Sequence, residues 1–506
     1  MKSSADAVVI GSGPNGLVAA CLLAQQGWSV QVLEGADVPG GAVRTEESTL
    51  PGFKHDCYSA FYAMLHASPV FQELGLDKRI EWANFEIPVA AAVTPEDVGF
   101  GFSDVEQTCS RLSLTDGAAW SAMYQWWIKS GRHFLATMLG PIPSIGPSLQ
   151  FLRSGGIFGT TKASRMFLQP MRHVATRRFS ADSAQVLLAG GATHTDLPIE
   201  KRGSTPPALI LAMVAQELGM PIPIGGAGKI TDALVSILEE AGGSIATGHE
   251  VKGVLVERGR AVGVTTSDGT RVMARRAVLA NTGPKRLFLD MVPDGDVPSR
   301  YLKGIKRFRY TSGMYRLDLA LDKQVQWTTS ELAKAGVIHL TGNLEQMTRS
   351  QNEVATGVLP KRPNLIIGQQ SIADPSRAPN GKHSLWIETQ VPPTADFERF
   401  PELVLDEIER HAPGTKDSVL ATHIRTPADL EAENPNLVHG DPGGGSLSLN
   451  QQLVLRPVPG WFRYRTPVKS LYLCSASAHP GGGVHGMVGR NCAERVLRDR
   501  IKLINV

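Results

Sequence analysis

The stretch Ala7-Val-Val-Ile-Gly11-Ser-Gly13-Pro-Asn-Gly16 decides how the N-terminal part of the chain folds. Ala7 to Ile10 is a short apolar run of the kind that forms a buried parallel strand. A helical stretch follows from Leu17 to Gln26, with Gly27 placed to end it. Ser29-Val-Gln-Val-Leu33 reads as a second strand, ending at Glu34. This is the strand–helix–strand setting in which a Gly-x-Gly-x-x-Gly motif binds a dinucleotide. Gly11 makes the tight turn, Gly13 lets the backbone approach a pyrophosphate, and Gly16 lets helix and strand pack closely. Pro14 and Asn15 belong to the same loop, where a helix N-terminus offers N–H groups and the positive end of its dipole. Glu34, 18 residues after Gly16, can accept hydrogen bonds from both ribose hydroxyls. It would also repel a 2′-phosphate, which disfavours NADP.

Working outward, Glu34-Gly35-Ala-Asp-Val-Pro-Gly40-Gly41-Ala42-Val-Arg44-Thr45 continues directly from that carboxylate. The Gly-Gly pair admits a second close approach to a dinucleotide, and Arg44 can contact phosphate. A simple NAD dehydrogenase has no need for this extension. On these residues the chain resembles the FAD-binding superfamily of amine oxidases and phytoene desaturases. In that superfamily such an element lines the FAD diphosphate and ribityl chain, and Gly40, Gly41, Arg44 and Thr45 match it. Ala42 stands where the amine-oxidase form has Arg, which favours the desaturase side.

Near the other end, Leu471-Tyr-Leu-Cys474 reads as a strand. It leads into Ser475-Ala-Ser-Ala-His479-Pro-Gly481-Gly482-Gly483-Val484-His485-Gly-Met487. A helix follows to about Ile501, with Val488, Cys492, Val496 and Leu497 at apolar spacing. Three glycines before a helix make an anion-friendly N-terminus, suited to the negative charge of a reduced flavin. The run resembles the C-terminal signature of phytoene-desaturase-like FAD-dependent oxidoreductases. With its flanks, Tyr464-Arg-Thr-Pro467 and Arg490-Asn-Cys-Ala-Glu494, it is most similar to the pyridine nucleotide-disulfide oxidoreductase domain-containing protein 2 branch and its bacterial homologues.

The resemblance spans essentially the whole chain and implies FAD as cofactor. It implies contacts from Gly482, Gly483, Val484 and Met487, from Val251 at the adenine and from Asn281 near the diphosphate. Tyr58 and Ser59 follow a segment, His55-Asp-Cys57, that passes the ribityl chain and ring in that family. The implied fold is α/β: a discontinuous Rossmann-like FAD-binding domain of the glutathione-reductase/amine-oxidase type over 1–75, 220–295 and 460–506. A mixed α+β substrate domain would comprise 76–219 and 296–459. In the middle, Ile230 to Ala241 reads as an amphipathic helix, Val251–Glu257 and Ala261–Val264 as a hairpin, and Arg275–Asn281 as a strand. Gly225 to Lys229 lacks phosphate-loop spacing and reads as a turn before that helix.

Composition limits the alternatives. The 506 residues amount to two to four domains at ~100–200 residues each. With 42% hydrophobic and 20% charged residues, the chain has ample apolar material for a core. Its formal charge of +3 argues against a nucleic-acid partner. The five cysteines, Cys21, Cys57, Cys109, Cys474 and Cys492, form no CxxC, so disulfide-reductase chemistry lacks its local signature and a reducing compartment is expected. No secretory signal and no 18-residue uncharged apolar run appears. No histidine or carboxylate spacing suggests a metal. The expected location is cytoplasmic, with room for peripheral membrane association. From Gly117 to Ala181 there is no Asp or Glu, and the segment 117–181 mixes Arg and Lys with Trp and Phe. It reads as a membrane-contacting face or a homo-oligomer interface.

The candidate chemistry is hydride abstraction from a hydrophobic small molecule by an FAD-dependent desaturase or dehydrogenase, with O₂ or a quinone as acceptor. Alternatives are an amine or alcohol oxidase releasing peroxide, a reductase or isomerase on the same fold, or a non-catalytic flavoprotein acting as an interaction partner. Candidate catalytic residues are His485 beside the glycine run, Tyr58, and His194, which with Asp196 forms a polar island. His479 is read as orienting its loop.

Overall fold

In the computed structural model, which describes residues 2–504, Ser4–Ile10 lies between two parallel neighbours, Val30–Leu33 and Arg271–Ala280. The sheet runs in the order 251–257, 260–266, 271–280, 4–10, 30–33, 244–246, with Leu471–Leu473 added in parallel to Arg271–Ala280. Its strands therefore come from three separate stretches of chain. Val8 and Val9 are fully buried, as expected for a strand covered on both faces. Pro14–Gln25 follows the first strand. It begins three residues before its apolar pattern does, because Pro14 fits the first helical turn, where its missing N–H is no loss. Gly27, at φ +76°, ends it. Pro14–Gln25 packs on both Gly228–Glu240 and Met487–Ile504. Ile230, Leu234, Ile237 and Leu238 form the buried stripe of Gly228–Glu240.

A second sheet runs in the order 419–425, 313–321, 383–391, 365–368, 335–340, 87–92, 98–101. It is antiparallel except where Ala335–Leu340 meets Ile87–Ala92. Leu317, Leu319, Ile367, Leu385 and Ile387 pack with Phe400 of Phe400–His411 into a core of their own. The architecture is α/β, with a Rossmann-like sheet and a mixed α+β second unit.

The acid-free segment is helical. Ile145–Phe167 is two helices that meet at Gly156 (φ +62°, ψ 177°). Much of its aromatic content is core rather than surface: Trp127, Phe134, Phe151 and Phe167 are buried, and Phe134 stacks on Phe167 at 4.0 Å. Phe158 is 92% exposed and Ile157 75%. No helix of the described residues is long and apolar enough to cross a membrane.

Candidate dinucleotide site

A cavity of ≈ 440 Å³ opens where the first two parallel strands end. This is where open α/β sheets place ligands. Gly11, Gly13, Pro14 and Asn15 form one wall, and Glu34 and Gly35 continue it. No side chain caps the helix that starts at Pro14, so its N-terminus is left to an incoming group. Glu34 is held by neutral donors. Its Oε2 accepts from Ser12 N (2.8 Å) and Ser12 Oγ (2.6 Å), and its Oε1 from Ala36 N (3.0 Å). No cation pairs with it among the described residues. A Cβ on Gly16 would lie 2.5 Å from the Gly11 carbonyl oxygen, so only glycine lets this helix start so close to its strand. A Cβ on Gly41 would lie 3.0 Å from Gly13 Cα, so the second glycine pair abuts the first loop. Asn281, with its amide turned to satisfy both neighbours, accepts from Gly13 N (3.1 Å) and donates to the Cys474 carbonyl (3.3 Å).

Val251, Glu250 and Arg286 border the same cavity, and Arg286 pairs with Glu250 at 2.7 Å. Arg44 borders it too, and its Nε has no hydrogen-bond partner among the described residues. Arg44 Nη2 donates to Tyr58 Oη (3.3 Å), and Tyr58 donates onward to Glu433 Oε2 (2.8 Å). Burial raises the Tyr58 hydroxyl above the ordinary tyrosine value. Arg425 grips both oxygens of Glu433 from Nε at 3.0 Å, and reaches Asp318 (3.3 Å) and Glu46 (2.8 Å). Behind this group, Arg377 pairs with Asp56 (2.9 Å) and Asp374 (2.7 Å), joining the strand His55–Asp56 to the second unit.

Two glycine loops complete the wall. Gly444 comes from Asp441-Pro-Gly-Gly-Gly445, and Gly483 and Val484 from His479-Pro-Gly-Gly-Gly-Val484. Asp441, fully buried, accepts from Gly443 N, Gly445 N and Thr311 N. The loops touch backbone to backbone: a Cβ on Gly482 would lie 2.7 Å from Gly443 Cα.

Several residues grouped with the cofactor on sequence stand behind this wall rather than along it. Gly16 and Gly482 serve the close contacts above. Gly40 turns at φ +116° against Thr231. Thr45 Oγ1 donates to Asp56 and accepts from Gly228 N. Ser59 Oγ bonds the Ala42 carbonyl and the Tyr62 hydroxyl. Met487 N donates to His485 Nδ1 (3.1 Å). The His485 ring is therefore buried and turned to the start of the last helix, not to the cavity, and burial pulls its pKa down to about 4. His479 is likewise buried, bonded to the Gly140 carbonyl at 3.0 Å and pulled down to about 4 by burial. His194 lies at a different, smaller cavity of ≈ 40 Å³. Its Nε2 is 3.0 Å from His339 Nε2, and burial lowers the pKa of both rings. Asp196 accepts from Leu447 N and Ser446 Oγ, while the His194 ring bonds to His339.

The sequence reading missed the wall built by residues 432–444, including Glu433, Asn434 and Asp441. One signal was available: Pro442-Gly-Gly-Gly445 repeats the Pro480-Gly-Gly-Gly483 pattern. It also missed that Cys492 lies beside Cys474, which together with burial pushes the Cys492 thiol up, while the Cys474 thiol donates to the Asn15 carbonyl at 3.6 Å. All five cysteines are free, and both of these are fully buried.

A Rossmann-like sheet, with the 432–444 stretch closing over the ends of its strands beside a second, mixed sheet, defines the class, that of the FAD-dependent oxidoreductase fold. The model of the NAD(P)-binding Rossmann-like domain matches residues 9–74. An oxidoreductase from Methanosarcina mazei shares the fold over 97% of this chain and 99% of its own, with a TM-score of 0.63 and 20% identity. The chain is 24% identical to a neurosporene-forming phytoene desaturase of Cereibacter sphaeroides, over 96% of this chain and 93% of that protein. It is 30% identical to the pyridine nucleotide-disulfide oxidoreductase domain-containing protein 2 of Mus musculus, over 99% of this chain and 94% of the mouse protein. The chain belongs to that protein's family. The residues present fit FAD, the cofactor of the class. Glu34 keeps lone pairs free of any cation, the glycine walls leave room where a Cβ would intrude, and the buried Arg44 Nε lacks a partner.

Proposed function

We propose that the protein is an FAD-dependent desaturase or dehydrogenase that abstracts a hydride from a hydrophobic small molecule, which loses a proton from the adjacent carbon to solvent and is left with a C=C bond. The observation that carries this reading is the cavity at the strand ends, walled by glycine loops and closed by Glu34 and Arg44. In it, Glu34 would hold the ribose, Gly11 and Gly13 with the Pro14 helix end the diphosphate, and Arg44 a phosphate oxygen. Val251 and Asn281 would flank the adenine and diphosphate, and Gly483 and Val484 the flavin. Bound FAD supplies the hydride acceptor, and O₂ or a quinone restores its oxidised form. The stretches 1–75, 220–295 and 460–506 would form the cofactor domain and 76–219 with 296–459 the substrate domain.

The sequence relationship with the phytoene desaturase favours a desaturase over an amine oxidase, as does Ala42 in place of Arg. An anaerobic titration tests the reading: bleaching of the flavin by a lipid extract without nicotinamide supports it. Bleaching by NADH or NADPH alone turns it to a reductase.

The acid-free segment would rest on an anionic membrane surface. Ile145, Ile157, Phe158 and Leu168 are exposed beside exposed Arg153, Lys162 and Arg165. Sedimentation with phosphatidylglycerol vesicles, lost in phosphatidylcholine and in Phe158→Asp, is the expected result. A concentration-dependent dimer abolished by the same substitution would assign the face to a second copy instead.

A further inference from the structure

Arg456 is 1% exposed and forms no ion pair among the described residues. Its guanidinium is instead surrounded by main-chain carbonyls. Nη1 donates to Ser446 O (3.0 Å) and Gly445 O (3.3 Å). Nη2 donates to Gly444 O (2.9 Å), Gly443 O (3.4 Å) and Ala476 O (2.8 Å). Those carbonyls come from two segments thirty residues apart in sequence, 443–446 and the turn at 476 that leads into the second glycine loop. Asp441 works from the opposite side, taking N–H groups of the first loop. The loop's donors thus point to a buried carboxylate and its acceptors to a buried guanidinium. Gly444 and Gly445 adopt φ +64° and +121°, so few sequences other than glycine follow this path. Gly444, Ala476, Ser477 and Gly483 all face the dinucleotide cavity.

We propose that Arg456 is a positioning residue that fixes the spacing of the two glycine loops and places a positive charge, held by carbonyl dipoles and faced beyond ion-pair distance by Asp441 and Asp196, behind the wall of the dinucleotide cavity. The planar fork is what allows one side chain to serve both loops. A lysine ammonium presents its donors at a single point and cannot bridge them. Burial pulls the pKa of Arg456 down only to about 10, so the group keeps its proton near neutral pH. A positive charge behind such a wall, offset in part by Asp441 and Asp196, favours the more anionic form of whatever occupies the cavity. No sequence motif marks this residue, because its role depends on segments that meet only in the fold.

The inference rests on FAD being the occupant, and the test separates the two. Wild type, Arg456→Lys and Arg456→Gln are prepared as full chains, melted without and with FAD, and titrated with FAD. Their two-electron potentials are then measured with dithionite against a reference dye. Lys keeps the charge and loses the bridge; Gln loses both. The expected result is FAD affinity weakened about tenfold or more in both variants. Only Gln should also lose preference for the reduced flavin, by about tenfold, which is about 30 mV for a two-electron couple. Lysine affinity within threefold of wild type, or equal potentials in Gln and wild type, overturns the proposal while leaving the FAD reading intact. If Gln does not fold, the Lys affinity decides alone. A wild type that takes up no FAD overturns both.

Discussion

Glu34 and Glu433 line the same cavity, yet the protein treats them in opposite ways. Glu34 receives only neutral donors, from Ser12 and Ala36, and keeps its charge for a ligand. Glu433 is held by Arg425 and Tyr58, so its charge is already matched from within the protein. A carboxylate in a site can therefore belong to the cofactor or to the scaffold, and the donors around it tell which. The strand-end carboxylate is matched by Ser12 and Ala36 of its own unit, whereas Glu433 is held by Arg425, eight residues earlier, and by Tyr58, which reaches it from the N-terminal stretch.

The largest effect should come from attacking the scaffold carboxylate's partner. Arg425→Met removes the cation shared by Glu433, Glu46 and Asp318, of which only Asp318 is buried, and leaves Arg316 facing Asp318 and Arg44 facing the other two. Breaking a buried pair costs about 3–5 kcal/mol, read as a lowered urea midpoint with or without FAD. Stability close to wild type would break the comparison, because Glu433 would then be free for other work.

Glu34→Ala should do the reverse. Losing charged hydrogen bonds of about 1.5–3 kcal/mol weakens FAD binding by roughly tenfold to a hundredfold. The apo chain should melt nearly as the wild type does. Unchanged affinity in a fluorescence titration would place Glu34 with the scaffold.

A third carboxylate sharpens the comparison through pH. Glu388 lies 3.6 Å from Arg316, but burial outweighs that cation and raises its pKa from 4.5 to about 7. Between those values the folded chain holds a proton that the unfolded chain releases. This group therefore lowers stability as pH rises from 4.5 to about 7, and no further above it. Glu388→Gln should remove that decline, so the variant gains on the wild type across this window in urea midpoints. A parallel pH profile would show that Glu388 is paired as fully as Glu433. The smallest effect is expected from Tyr58→Phe, which removes the hydrogen bond to Glu433 and the longer one accepted from Arg44, about 1 kcal/mol together because Arg44 keeps its pairing with Glu46. FAD affinity should stay within about twofold.

Much of the fold was legible because it rests on neighbours in sequence. The apolar run Ala7–Ile10, the glycine turn and the stripe Ile230–Leu238 each carry their own instructions. Helix starts were less legible where proline, rather than an apolar residue, begins the turn, as at Pro14. The aromatic-rich segment shows the limit of composition: Phe134 and Phe167 read like Phe158, and only packing separates buried from exposed. In the site, the glycines that touch their own loop could be read from spacing. The ring directions of His485 and His194 could not, since a helix start and a second histidine claim them.

The sequence by itself determined the Rossmann-like unit, the carboxylate that ends its second strand and the glycine run before the last helix. Each is set by steric and hydrogen-bond rules that act over a few residues. Only the tertiary structure decided that 432–444 closes the cavity, that Arg456 ties two glycine loops together, and that Cys474 meets Cys492. Those contacts join segments that only the packing of strands, loops and helices brings together, and no local pattern records where separated backbone will come to rest.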